Sequence, residues 1–334
     1  MANNSSNSSS NSSSKSAGNL NKGTSSKGEG DFGRFDFVKW SPVMGGISLL
    51  LTIIALVLIF TKGMNYGIDF AGGTEIEIKF DHAVEAHEIR EVIQQAGAGN
   101  AGVQSFGSAN DYLIRLELPH LPTEEAQNKA VLENVAKVRT ALKEKMALKD
   151  AGVLSVATVG PQIGSELKRN GFLAAFYSFL VILIYVGIRF DYNYAPGAVL
   201  CLVHDSIVTV GVFSLLGREF NTQIMAAVLT LIGYSLNDTI VTFDRIRETA
   251  PLNKDKSTAF IINKSINDMF VRTLLTSSAT MIAVLALYFF GGGVISEIAF
   301  TLVIGILIGT YSSIYVAAPL VLVMERFNSH KSMH

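Results

Sequence analysis

Asp238 is the residue of this sequence that sits least comfortably among its neighbours. It lies in Gly233-Tyr234-Ser235-Leu236-Asn237-Asp238-Thr239-Ile240-Val241-Thr242-Phe243. That segment ends an apolar run starting near Thr222, and charge returns only with Asp244-Arg245-Ile246-Arg247-Glu248. No basic residue lies within one helical turn of Asp238. An ionised Asp at the centre of a membrane helix costs about 2.5 to 3.5 kcal/mol on insertion scales, so it needs a partner or a proton. A carboxyl balanced between burial and a nearby cation is suited to taking up and releasing protons. The competing reading is an acid that only cements helix packing.

Arg272 is the obvious cation. It is the fourth residue of the apolar run 269–290 and falls at the same depth as Asp238 if the two runs are antiparallel. It either answers the charge of Asp238 or snorkels to the headgroups. Asp205, preceded by His204, lies about ten residues into the run 195–216, near a membrane midplane. It is a second stop for a proton or one end of an interhelical hydrogen bond. Thr239, Thr276, Ser277, Ser278 and Thr280 lie in neighbouring stretches, where hydroxyls relay protons or pack helices, packing being the commoner role.

Other patterns carry less. Gly305 and Gly309 form a GxxxG suited to close helix contact, but the pattern is common. Gly72-Gly73 precedes a strand pattern and no Lys-Ser/Thr follows, so it reads as a tight turn and not a phosphate loop. The single cysteine, Cys201, excludes a disulfide framework and a cysteine metal cluster. No metal, cofactor or catalytic constellation is expected.

The elements that must position these residues follow from composition. Of 334 residues, 49% are hydrophobic and 16% charged. A soluble domain carries about 25% charged residues, so the chain reads as a membrane protein. A net charge of −1 without a basic patch argues against nucleic acid. Six apolar runs are long enough to span: 43–61, 171–188, 195–216, 222–243, 269–290 and 294–323. The first starts too late for an ordinary signal peptide and reads as a retained anchor.

Lys and Arg set the orientation. Arg34 and Lys39 precede the first run, Arg189 follows the second, five basic residues lie in 244–268, and Arg326 and Lys331 close the chain. The opposite short loops offer only Arg218. The positive-inside rule therefore places both termini in the cytoplasm. Residues 1–31, rich in Ser and Asn, read as a disordered cytoplasmic tail and 324–334 as a short C-terminal one. Phe32 to Trp40 suits a membrane interface.

The segment 62–168 then lies outside, ahead of a five-helix region at 171–323. Its patterns are strand 74–80, helix 84–97, strands 103–108 and 111–118 around a Ser-Ala-Asn turn, helix 123–146 capped by Thr123, and strand 152–160. The order β-α-β-β-α-β is the ferredoxin-like pattern. It has no nucleophile or metal cluster, so a binding or moving module is expected and not an enzyme.

Four stretches together resemble the SecF group of the SecD/SecF protein-export membrane proteins, within the resistance-nodulation-division superfamily. They are Asn65-Tyr66-Gly67-Ile68-Asp69-Phe70-Ala71-Gly72-Gly73-Thr74, Val159-Gly160-Pro161-Gln162-Ile163-Gly164, His204-Asp205, and Ser235 to Glu248. The resemblance runs from about 35 to 325 and leaves out the Ser/Asn-rich head. It implies a six-helix half that pairs with SecD in the bacterial inner membrane, and a periplasmic ferredoxin-like domain. It also implies that the proton-motive force assists late, ATP-independent export through SecYEG, with YajC and the translocating polypeptide as further partners. In such families the acid of the fourth helix and the arginine of the fifth belong to the proton path, which falls on Asp238 and Arg272. Two alternatives remain at this point: a proton-driven exporter of small molecules or lipids from the same superfamily, and a scaffold without energy coupling. The first usually carries twelve helices in one chain. The second leaves the cost of Asp238 unexplained.

Overall fold

The computed structural model describes residues 34–98, 101–105, 110–117, 124–149, 152–190 and 194–331. The expected tail at 1–31, Thr123 as a cap, and most of the Ser-Ala-Asn turn lie outside the described residues.

Helix α1 (Phe37–Thr61) is the first span. The Asp36 carboxylate accepts the Lys39 amide at 3.0 Å and starts the helix. Its entry is pinned by two asparagines on α8 (Thr258–Phe290). Asn263 Oδ1 accepts the Phe37 amide at 2.7 Å, and Asn267 Oδ1 accepts the Phe35 amide at 2.9 Å.

A short β1 (Asn65–Tyr66) and one turn of helix α2 (Ile68–Ala71) lead into the α+β domain. Its elements are β2 (Gly73–Lys79), α3 (Ala86–Gln95), β3 (Ala101–Ser105), β4 (Asp111–Leu116), α4 (Glu124–Met146) and β5 (Val153–Val159). The sheet order β3-β4-β2-β5 is antiparallel throughout, the ferredoxin-like arrangement. Period-two alternation divides β2 between faces. Ile76 and Ile78 are buried beneath the helices with Ile89, Ile93, Ile114 and Leu142. Glu75 and Glu77 point to the other face, and Glu75 sits opposite Arg115 in the register.

The remaining spans are α5 (Pro161–Arg189), α6 (Ala195–Leu216), α7 (Thr222–Leu252), α8, and a last span from Gly293 to Glu325. That last span is α9 (Gly293–Ser312), a π-helical turn Ser313–Ala317 and α10 (Ala318–Lys331). Pro319 has no amide to offer Tyr315, and the turn before it widens. With α1 there are, among the described residues, six helices long and apolar enough to cross a membrane. Residues 244–268 differ from the connection expected there. α7 continues to Leu252 and α8 starts at Thr258, so the link is only 253–257. Charge ended the apolar runs but not the helices, because Arg245 joins the two extensions through Asp268 at 2.6 Å.

The Gly72-Gly73 turn has a specific task. Both glycines have positive φ, 74° and 147°, a region that side chains disfavour. A Cβ on Gly72 would stand 3.0 Å from Pro161 Cα, and one on Gly164 would stand 3.1 Å from the Gly72 amide nitrogen. The turn thus packs directly on the first turn of α5. Beside it, Asp69 Oδ2 accepts the first amide of α7, from Thr222, at 3.0 Å. A two-residue strand β6 (Glu219–Phe220) pairs in parallel with β1 and closes this corner.

Candidate functional site

The interior of the helix bundle is built on one face of α7. Ser235, Asp238, Thr239 and Thr242 are all buried and follow the i, i+3, i+4, i+7 spacing of a helical stripe. On the same helix towards the α+β domain, Ile224, Val228 and Leu231 are buried and apolar. The helix therefore changes from an oily to a polar face part-way along. Asp238 stands 16 residues after Thr222, or ~24 Å along the axis at 1.5 Å per residue.

Asp238 is 5% exposed. Ser277 Oγ of α8 donates to its Oδ2 at 3.3 Å, and Thr310 Oγ1 of α9 donates to Ser277 Oγ at 2.8 Å. The chain of groups runs α7–α8–α9. Arg272 is exposed and makes no ion pair with Asp238; its charge acts only across a longer gap. Among the described residues, no cation lies within ion-pair distance of Asp238. The reason is helical phase. The stripe of α8 that faces inward is Thr273, Ser277 and Val284. Arg272 lies five residues before Ser277, about 140° around the helix at 3.6 residues per turn. Matching depth does not ensure a matching face.

Asp205 is 1% exposed and forms a second polar centre. Its Oδ1 lies 2.8 Å from His204 Nδ1. Its Oδ2 accepts two hydroxyls, from Ser235 at 2.5 Å and Ser312 at 2.9 Å. Cys201 Sγ donates to Ser312 Oγ at 3.2 Å. His204 Nε2 is buried with no hydrogen-bond partner among the described residues. Ser235 lies three residues before Asp238, so the stripe of α7 that carries Asp238 also reaches Asp205 of α6. Thr239 Oγ1 turns back to the Ser235 carbonyl at 3.3 Å, a packing bond within its own helix. Thr276 and Thr280 likewise bond carbonyls of α8, and Ser278 is exposed.

Both glycines of the GxxxG serve this centre. A Cβ on Gly305 would strike the side chain of Leu231, and one on Gly309 would stand 3.2 Å from Ser235 Cβ and Oγ. They let α9 approach α7 closely enough for Ser312 to reach Asp205. Ser235, Ser312 and Thr310 escaped the sequence reading. The stripe on α7 was available as a signal for Ser235. Nothing in sequence singles out Ser312 or Thr310 among the hydroxyls of an apolar helix.

A family model for the protein export membrane protein SecD/SecF, C-terminal, matches residues 137–327, and one for the SecD/SecF GG motif matches residues 57–84. The second covers the Gly72-Gly73 turn described above. The protein translocase subunit SecF of Calditerrivibrio nitroreducens is 45% identical over 87% of this chain and 94% of its own length. That of Pseudomonas aeruginosa is 41% identical over 85% of this chain and 90% of its own. The crystal structure of a SecDF from Thermus, described as a translocon-associated membrane protein, matches 88% of this chain with a TM-score of 0.77 at 36% identity. This chain spans 39% of that longer protein. On these matches, which extend over the helices that carry Asp205 and Asp238 and over the glycine turn, the chain belongs to the SecD/SecF family of protein-export membrane proteins, in its SecF group.

Proposed function

We propose that this chain is a proton-driven subunit of the Sec machinery, which pairs with SecD and assists late, ATP-independent export of polypeptides through SecYEG, with YajC as a further partner. The observation that carries the reading is the placement of Asp238. A carboxyl buried between three helices, held by one serine and no cation, has no structural need for its charge. Its cost is accounted for if it carries a proton.

In this reading the α+β domain, within 62–168, lies on the periplasmic side of the bacterial inner membrane and both termini lie in the cytoplasm. Residues 171–323 form the five-helix region, and 1–31 and 324–334 are cytoplasmic tails. Protons enter from the periplasm and leave to the cytoplasm by way of Asp238, with Asp205 as a second stop. Protonated, Asp238 stays with Ser277. Ionised, it draws the long side chain of Arg272 towards it. Moving a charge pair in and out of contact in a low-dielectric interior changes the local energy by several kcal/mol. One proton crossing ~100 mV supplies about 2.3 kcal/mol. One or a few protons therefore suffice for a helix displacement that the domain delivers to the emerging chain.

Asp238→Asn keeps the volume and removes the charge. Inverted vesicles containing the complex with SecD should lose gradient-dependent stimulation of translocation while the ATP-driven early step persists. Full stimulation in Asp238→Asn would leave Asp238 as packing and end the proton-carrier reading.

A further inference from the structure

The corner where the α+β domain meets the membrane helices encloses a cavity of about 400 Å³. Its roof is the open face of the sheet, with Glu75 of β2 and Gln104 of β3. Its floor is the segment from Leu216 to Ile224 and the start of α9. Three kinds of contact fasten the two parts here. β1 pairs with β6. Arg115 of β4 is ion-paired with Glu219 of β6, whose Oε2 also accepts Gln104 Nε2 at 3.1 Å. The Arg115 guanidinium also donates to Asn65 Oδ1 at 3.3 Å.

Among the described residues, Arg115 is the one cation that acts on Glu75, and two glutamates compete for it; Lys79, further along the same face of β2, is taken by Asp111 at 3.3 Å. Glu219 takes the direct ion pair. Glu75, across the strand register from Arg115, makes none. Around Glu75 stand Asp69 of α2 and Glu77 of its own strand as well as Glu219 and Arg115. Arg218 and Glu297 line the same cavity, but they neutralise each other at 3.2 Å. The count facing Glu75 is thus three carboxylates against one shared guanidinium.

We propose that Glu75 is a proton-binding site that controls how firmly the α+β domain is seated on the membrane helices. With a proton on Glu75, Arg115 serves Glu219 alone and the junction closes. Without it, a second carboxylate stands against Glu219, Asp69 and Glu77 in a half-buried cavity, and the domain loosens. Burial, with Glu219 next, pushes Glu75 from its ordinary value near 4.5 up to about 7, while Arg115 pulls it down in part. Burial also raises Glu219. The sign follows from linkage. A carboxyl raised in the seated state binds its proton more tightly there, so seating is strongest at acid pH. It weakens as pH rises from about 4.5 to about 7, and changes no further above that.

The test is a distance measurement across the junction at uniform pH, without a gradient. Spin labels at Glu133→Cys on α4, an exposed site, and Phe60→Cys at the end of α1, 83% exposed, report the seating of the domain in the full chain in nanodiscs. Cys201 is buried and takes no label. The interlabel distribution should be narrow and short at pH 5 and move to a longer, broader one by pH 7.5. In Glu75→Gln it should stay short at every pH, and in Glu75→Asp the pH response should remain. A wild-type distribution that is the same from pH 5 to 7.5 overturns the proposal. So does a Glu75→Gln variant that titrates like the wild type. Because no gradient and no translocation are involved, either failure leaves the role of Asp238 untouched.

Discussion

Asp205→Asn offers a sharp test of the inner polar centre, because each carboxylate oxygen of Asp205 has its own neighbours. In the wild type, Ser235 and Ser312 both donate to Oδ2, and Oδ1 faces His204 Nδ1 at 2.8 Å. While Asp205 is ionised, Oδ1 can only accept, and the facing Nδ1 carries the hydrogen. That tautomer leaves Nε2, the buried atom without a partner, as a bare lone pair. The substituted amide keeps one acceptor. If its oxygen stays with the two serines, its NH2 group meets Nδ1, which must then accept. The imidazole proton moves to Nε2 and becomes a buried N–H with no acceptor. Such an orphan donor costs about 1–3 kcal/mol, or roughly 5- to 150-fold in an equilibrium. If the amide turns over instead, the NH2 group faces two hydroxyls that must both reverse, Ser312 against the thiol it accepts from. The assay is a double-mutant cycle with His204→Leu on purified protein, read by reversible unfolding in detergent. Asp205→Asn alone should lose stability in that range, and most of the loss should vanish in the His204→Leu background. Equal losses in both backgrounds would refute the tautomer argument.

Two further outcomes follow. Gly305→Val drives a branched side chain into Leu231, which is fully buried, and should destabilise the bundle by about 1–3 kcal/mol, while Gly233→Ala, with open space at its Cβ, should not; thermal melts in detergent decide this. A reporter fused after Phe80 should be active on the periplasmic side and one fused at Lys254 on the cytoplasmic side, and the reverse pattern would invert the proposed proton path.

The fold was open to sequence reasoning where a single element carried its own signal. Six apolar runs match six spans, and the element order β-α-β-β-α-β pointed to the ferredoxin-like domain, whose sheet order only the structure supplies. Boundaries were less accessible. Charge at Asp244 to Glu248 signals the end of a hydrophobic slab, not the end of a helix, and Arg245–Asp268 holds the helices together beyond it. The site was half legible. Asp238 and Asp205 announce themselves by their cost. Their partners do not, since Ser312 and Thr310 differ from any other hydroxyl only in which way they face. Arg272 shows the same limit from the other side, because depth can be counted along a sequence while the relative phase of two helices cannot. The junction was the least visible part. Arg115 and Glu219 are 104 positions apart, and each alone resembles an ordinary surface charge.

The junction and the buried carboxyls are nonetheless parts of one mechanical path. α7 is continuous from Thr222 to Leu252. Its first amide is held by Asp69, one turn ahead of the Gly72-Gly73 packing on α5. Its middle carries Ser235 and Asp238, which bond to α6 and α8. Its far end is tied to α8 by Arg245. A displacement of α7 at Asp238 therefore has two places to go. The far end resists it through a charge pair between long side chains, which can stretch. The near end is tied more closely, because the Asp69 carboxylate holds the Thr222 amide at 3.0 Å while the glycine turn beside Asp69 packs on the first turn of α5. In the proposed cycle the domain is the part that moves, and Glu75 sits at the seat it would leave.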